Sequence, residues 1–83
     1  MTPTDTIRAH LGTVPEGAVI REGKLDLTIE TATTTVAIYC RQVDDAFDII
    51  VRHRNASKPH AMHIVDADEL GSLVERYFRT EAV

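Results

Sequence analysis

Three of the four histidines and three of the nine Lys and Arg residues fall within one stretch, RHRNASKPHAMH, at positions 52–63. Imidazoles at that density raise metal ligation, since a neutral ring nitrogen is a common zinc ligand. Arg52, Arg54 and Lys58 raise a second chemistry, a grip on phosphate oxygens. The single cysteine, Cys40, raises a third, because a thiolate activated by a histidine is a nucleophile. Each of these needs particular atoms to converge, so the elements that carry the residues decide among them.

The opening TPTD has the form of a helix start, with Thr2 as cap, Pro3 at the first helical position and Asp5 in the first turn. Ile7 and Leu11 share a face, and Gly12 ends the run. Beyond the VPEG turn the period changes. AVI reads as a short strand before a Glu22-Gly23 turn, and KLDLTIE alternates with Leu25, Leu27 and Ile29 facing one way. After a TATTT turn comes TVAIYCRQ, with Val36, Ile38 and Cys40 on one side. Asp44-Asp45 turns the chain into FDIIVRHR, NASKP turns it again, and HAMHIV is the last strand. Asp66 and Glu69 have the spacing of a capping box, ahead of an apolar stripe of Leu70, Leu73, Val74, Tyr77 and Phe78. Short turns imply consecutive hairpins. The expected fold is a single α+β domain over 1–83: a short N-terminal helix, an antiparallel meander of four to five strands, and a C-terminal amphipathic helix packed on one sheet face.

Matching apolar faces suggests the registers. Pairing Cys40 with Ile49, Ile38 with Val51 and Val36 with His53 leaves Ala37, Tyr39 and Arg41 on the other face, beside Arg52, Ile50 and Asp48. Burying Met62 and Ile64 pairs them with Val51 and Ile49 and sets His60 opposite His53. The alternative, one residue away, buries Ala61, His63 and Val65 and makes a poorer core. In the favoured register Cys40 and His53 are about 13 Å apart along neighbouring strands, too far for a nucleophile pair and consistent with a small buried hydrophobe. Strand parity also separates His60 from His63, which projects from the opposite face. His53 and His60 remain as a weak metal-binding pair, with Glu81 as a third ligand if the last helix returns to that end. A structural zinc site normally has four ligands, so the expectation is no metal centre and no cofactor.

Composition narrows the function further. Net charge is −4, which gives no support for wholesale duplex binding. Asp44, Asp45 and Asp48 read as a solvated turn, and Asp66, Asp68 and Glu69 as a helix start whose dipole suits carboxylates. One cysteine excludes a disulfide framework within the chain. Asn55-Ala56-Ser57 matches a glycosylation acceptor, but the first residues lack the basic start and apolar run of a secretory signal. No stretch approaches membrane-spanning length, and the expected location is cytoplasmic. Glycine-rich phosphate loops, GxSxG and HExxH are all absent, so no enzyme and no small-molecule substrate is expected.

What remains is surface. Tyr39 and Ile50, flanked by Arg41 and Arg52, give the face opposite the C-terminal helix a hot-spot composition, unless Ile7 and Leu11 of the first helix cover it. Tyr39, Arg41, Ile50, Arg52, Arg54, Lys58 and His63 are the candidate partner-binding residues. The leading expectation is a non-catalytic protein-interaction module, either self-associating (a homodimer) or an inhibitor of a larger protein. In size, acidity and lack of motif the chain is similar in character to stoichiometric inhibitors of phages and mobile elements, such as anti-CRISPR or anti-restriction proteins. That likeness is one of character and not of motif. A nucleic-acid partner, gripped by Arg52, Arg54 and Lys58 with Tyr39 stacking a base, is the alternative, and a single aromatic is few for that mode.

Overall fold

In a computed structural model, residues 3–11, 14, 16–41 and 44–81 are described, the side chains of Pro3, Arg79, Thr80 and Glu81 aside. Among them the chain forms α1 (Pro3–His10), β1 (Val19–Glu22), β2 (Asp26–Glu30), β3 (Thr34–Cys40), β4 (Phe47–His53), β5 (Ala61–Val65) and α2 (Ala67–Glu81). The strands make one antiparallel sheet in sequence order, β1-β2-β3-β4-β5. This is the α+β meander with a closing helix that the alternation and the apolar stripe predict. The expected Thr2 cap and the Gly12 stop lie outside the described residues, as does the Glu81 carboxylate.

One face of the sheet carries the core. Leu27, Ile29, Val36, Ile38, Phe47, Ile49 and Val51 alternate inward along β2, β3 and β4 and are almost fully buried. Leu70, Val74 and Phe78 of α2 close over them, and Ile7 of α1 joins the same cluster. Both helices therefore lie on one side of the sheet, and α1 leaves the second face uncovered. The start of α2 is satisfied locally: the Asp66 carboxylate accepts from the Glu69 amide at 3.0 Å. Arg8 of α1 pairs with Glu22, fastening that helix to the β1 edge.

Turn chemistry corrects two details. Leu25 belongs to the β1–β2 turn and is exposed, because the Gly23 amide already bonds the Asp26 carbonyl at 2.9 Å. The β3–β4 register is also different: Asp45 takes a left-handed conformation at φ 56°, and the Arg41 amide bonds the Ala46 carbonyl at 2.9 Å. Cys40 therefore sits opposite Phe47, Ile38 opposite Ile49, Val36 opposite Val51 and Thr34 opposite His53. A shift of two residues keeps every side chain on its expected face but changes its neighbours. Cys40 and His53 are now six strand positions apart, roughly 20 Å, which removes the nucleophile pair decisively. No helix among the described residues is long and apolar enough to cross a membrane.

Candidate functional site

The last strand settles the surface. Val51 pairs with Ala61, Ile49 with His63 and Phe47 with Val65. This is the one-residue alternative, and it turns β5 over. Met62 and Ile64 point away from the core and are 68% and 62% exposed, while Ala61, His63 and Val65 face inward, half-buried. The expectation that Met62 and Ile64 are core residues is overturned.

Three features account for the reversal. The His60 amide bonds the Val51 carbonyl at 2.9 Å, so His60 and Ala61 both oppose Val51. Two residues facing one make a β-bulge, and the extra residue moves the strand by one position. His63 then meets α2, where its Nε2 lies 2.5 Å from the Tyr77 hydroxyl. The hydroxyl donates when Nε2 carries no proton and accepts when it does, so neither group is buried without a partner. Finally, Val65 turned inward leads directly into α2 on the helical side, and Asp66 caps that helix at once. These features set the register even though burying Met62 or Ile64 would contribute roughly 1.5–3 kcal/mol per side chain.

The uncovered face divides in two. Toward β1 it is mostly polar, with Asp26, Thr28 and Glu30 on β2 and an Arg21–Glu30 ion pair at 3.5 Å, the exposed Val19 opposite Glu30 being apolar. Toward β5 it is apolar: Ala37 and Tyr39 of β3, Ile50 of β4, and Met62 and Ile64 of β5 share the face. Tyr39, Asp48, Ile50, Met62 and Ile64 line a shallow groove there. Tyr39 lies opposite Asp48 and not Ile50, which pairs with Ala37, so the two candidate hot-spot residues are diagonal neighbours.

The basic candidates do not form one cluster. Arg41 donates to Asp44 at 3.0 Å and to Asp48 at 3.1 Å. Those two bonds, the one to Asp48 above all, hold its guanidinium firmly charged, and the bond from Arg41 pulls the Asp44 carboxyl below its ordinary range. Arg52 is exposed on the uncovered face, opposite Thr35. Arg54 donates to the Thr31 carbonyl at 3.3 Å, and Lys58 is exposed in the connection to β5. His63, expected on the contact face, is on the helical side and is not part of this surface.

The remaining chemistry fares poorly. His53 and His60 do come together, with ring centroids 4.2 Å apart and planes within 16° of parallel. Ring-nitrogen lone pairs lie in the ring planes, so stacked rings direct them side by side and do not converge them on one ion. Among the described residues no group of three His, Cys, Asp or Glu side chains is placed to hold a metal. Cys40 is half-buried, and burial pushes its thiol up and away from the reactive thiolate. No family model matches the chain, and no curated protein or solved structure matches it either.

Met62 and Ile64 are what sequence reasoning missed. The signal that could have found them is Tyr77. A hydroxyl on the inner side of α2 needs a partner, and His63 is a residue of the last strand that can supply one.

Proposed function

We propose that this chain is a small non-catalytic protein-interaction module whose contact surface is the uncovered face formed by Tyr39, Ile50, Met62 and Ile64. The observation that carries the reading is the exposure of Met62 and Ile64 in a strand whose other register would have buried both. A fold that leaves the two largest apolar residues of β5 outside, contiguous with a half-exposed tyrosine, is built to bury them against something else. Asp48 and Arg52 border the patch and supply orientation. Such a surface acts by occupancy, as a stoichiometric inhibitor does, and needs no bound cofactor. A cytoplasmic setting suits it, since Cys40 is a free thiol. The nucleic-acid alternative is weakened because Arg41 is committed to Asp44 and Asp48, leaving fewer cations beside Tyr39.

The test compares the wild type with a Tyr39→Ala, Ile64→Asp double variant as baits in a lysate of the native host. The expected result is a protein partner retained by the wild type and lost by the variant, with circular dichroism unchanged. Retention of the same proteins by both baits would count against this face, and retention of nucleic acid alone would favour the alternative.

A further inference from the structure

The two edges of the sheet are built differently. The β1 edge carries Arg21 and Glu22, and both are engaged, with Glu30 and Arg8 respectively. Charges of this kind blunt an edge against pairing with another strand. β5 reads AMHIV, with no charge, no proline and no glycine. Its open backbone groups can be identified from the ladder. The Arg41 amide bonds the Ala46 carbonyl and the Arg54 amide bonds the Thr33 carbonyl, so even-numbered residues of β4 turn their peptide groups to β3. The odd-numbered ones turn to β5, as the bond from the His60 amide to the Val51 carbonyl shows. Their partners Ala61, His63 and Val65 are thereby used, and the peptide groups of Met62 and Ile64 face the open edge.

We infer that two copies of this chain pair antiparallel through their β5 edges, about a two-fold axis at His63, into one continuous sheet. The inference rests on the reading of Met62 and Ile64 as contact residues and names their partner as a second copy of the chain. Three matches support a copy over an unrelated strand. First, a two-fold at His63 sets Met62 opposite Ile64 of the second copy. These are the residues with outward peptide groups, so they exchange both ladder bonds, and symmetry repeats the pair. Second, the row Ala37–Ile50–Met62 then continues into Ile64, Asp48 and Tyr39 of the second copy, joining the two apolar half-faces into one. Third, the charges agree. Antiparallel pairing brings the end of β5 preceded by the exposed Lys58 toward the end followed by the exposed Asp66 and Asp68 in the second copy, twice over. Parallel pairing would instead set those acidic helix starts against each other.

Sedimentation velocity on the full chain, in low salt and over rising concentration, tests this. The expected result is a concentration-dependent dimer that Ile64→Asp converts to monomer without altering circular dichroism. Lys58→Glu is expected to weaken the dimer by about three- to tenfold, and adding Asp68→Lys to restore it. A wild type that stays monomeric throughout overturns the inference. So does a dimer indifferent to both Ile64→Asp and the charge reversals, which would use another surface. If the chain is monomeric while host capture still depends on Tyr39 and Ile64, the copy is wrong and the interaction module stands. Protection of the Met62 and Ile64 amides from exchange only in the presence of a captured host protein would likewise give the edge to that protein.

Discussion

β4 and β5 lie side by side in the sheet and both alternate, yet they treat their apolar side chains in opposite ways. β4 turns Phe47, Ile49 and Val51 into the core. β5 turns Met62 and Ile64 out, and gives the core an alanine, a histidine and a valine. Alternation guarantees only that a strand has two faces. Which one goes inward depends on the turn that delivers the strand and on the partners waiting there. For β5 those are the bulge at His60 and Ala61, the Tyr77 hydroxyl and the Asp66 cap. A strand held by a hydrogen bond and a turn is free to show its apolar side to a partner, and one held by packing is not.

The contrast can be broken most directly by truncating one isoleucine in each strand. Ile49→Ala should cost roughly 2–5 kcal/mol in chemical denaturation, because it opens a cavity in a close-packed core. Ile64→Ala should change stability by no more than about 0.5 kcal/mol, as expected of a surface position. Equal losses at the two sites would mean that β5 is packed like β4.

A smaller effect sharpens what holds β5 in place. Tyr77→Phe keeps the ring and removes the hydroxyl facing His63, and should cost about 1 kcal/mol. Asp66→Ala removes the cap at the end of β5 and should cost a similar amount, about 1 kcal/mol. Denaturation midpoints of the two variants and their combination show whether bond and cap act independently.

Smaller still are the effects at the β3–β4 end. With its thiol pKa raised by burial, Cys40 holds less thiolate at mildly alkaline pH than an exposed cysteine. Iodoacetamide should therefore modify it more slowly in the folded chain than in denaturant. Asp44 is depressed from 3.8 by the bond from Arg41. The contribution of that pair is thus present above the unfolded value and lost as pH falls through the lower folded one. In Arg41→Gln the Asp44 carboxyl should titrate at higher pH by NMR, with little change in overall stability.

How much of this was legible depended on how many residues made the decision. The α2 stripe and the inward faces of β2, β3 and β4 each rest on several apolar residues in period, and the structure keeps them, Leu25 at the turn aside. The β3–β4 register rested on where one turn closes, and the Arg41–Ala46 bond sets each pairing two residues from where face-matching suggests. The side chosen by α1 rested chiefly on Ile7, which fits either face in pattern and finds the one with α2. For β5 the composition of AMHIV favoured burying Met62 and Ile64, and a single bulge reversed it. The candidate site suffered accordingly. Tyr39, Ile50 and Arg52 are on the expected face, Arg41 is there but paired, and His63 changed sides. Met62 and Ile64 took its place.

Everything proposed for the surface depends on the register of β5, and one measurement addresses it. Methyl NMR of the dilute protein with a soluble paramagnetic agent reads the exposure of each side chain directly. The account predicts strong broadening of the Met62 and Ile64 methyls, with those of Ile49, Val51 and Val74 spared. Protected Met62 and Ile64 methyls beside broadened Ala61 and Val65 methyls would contradict it.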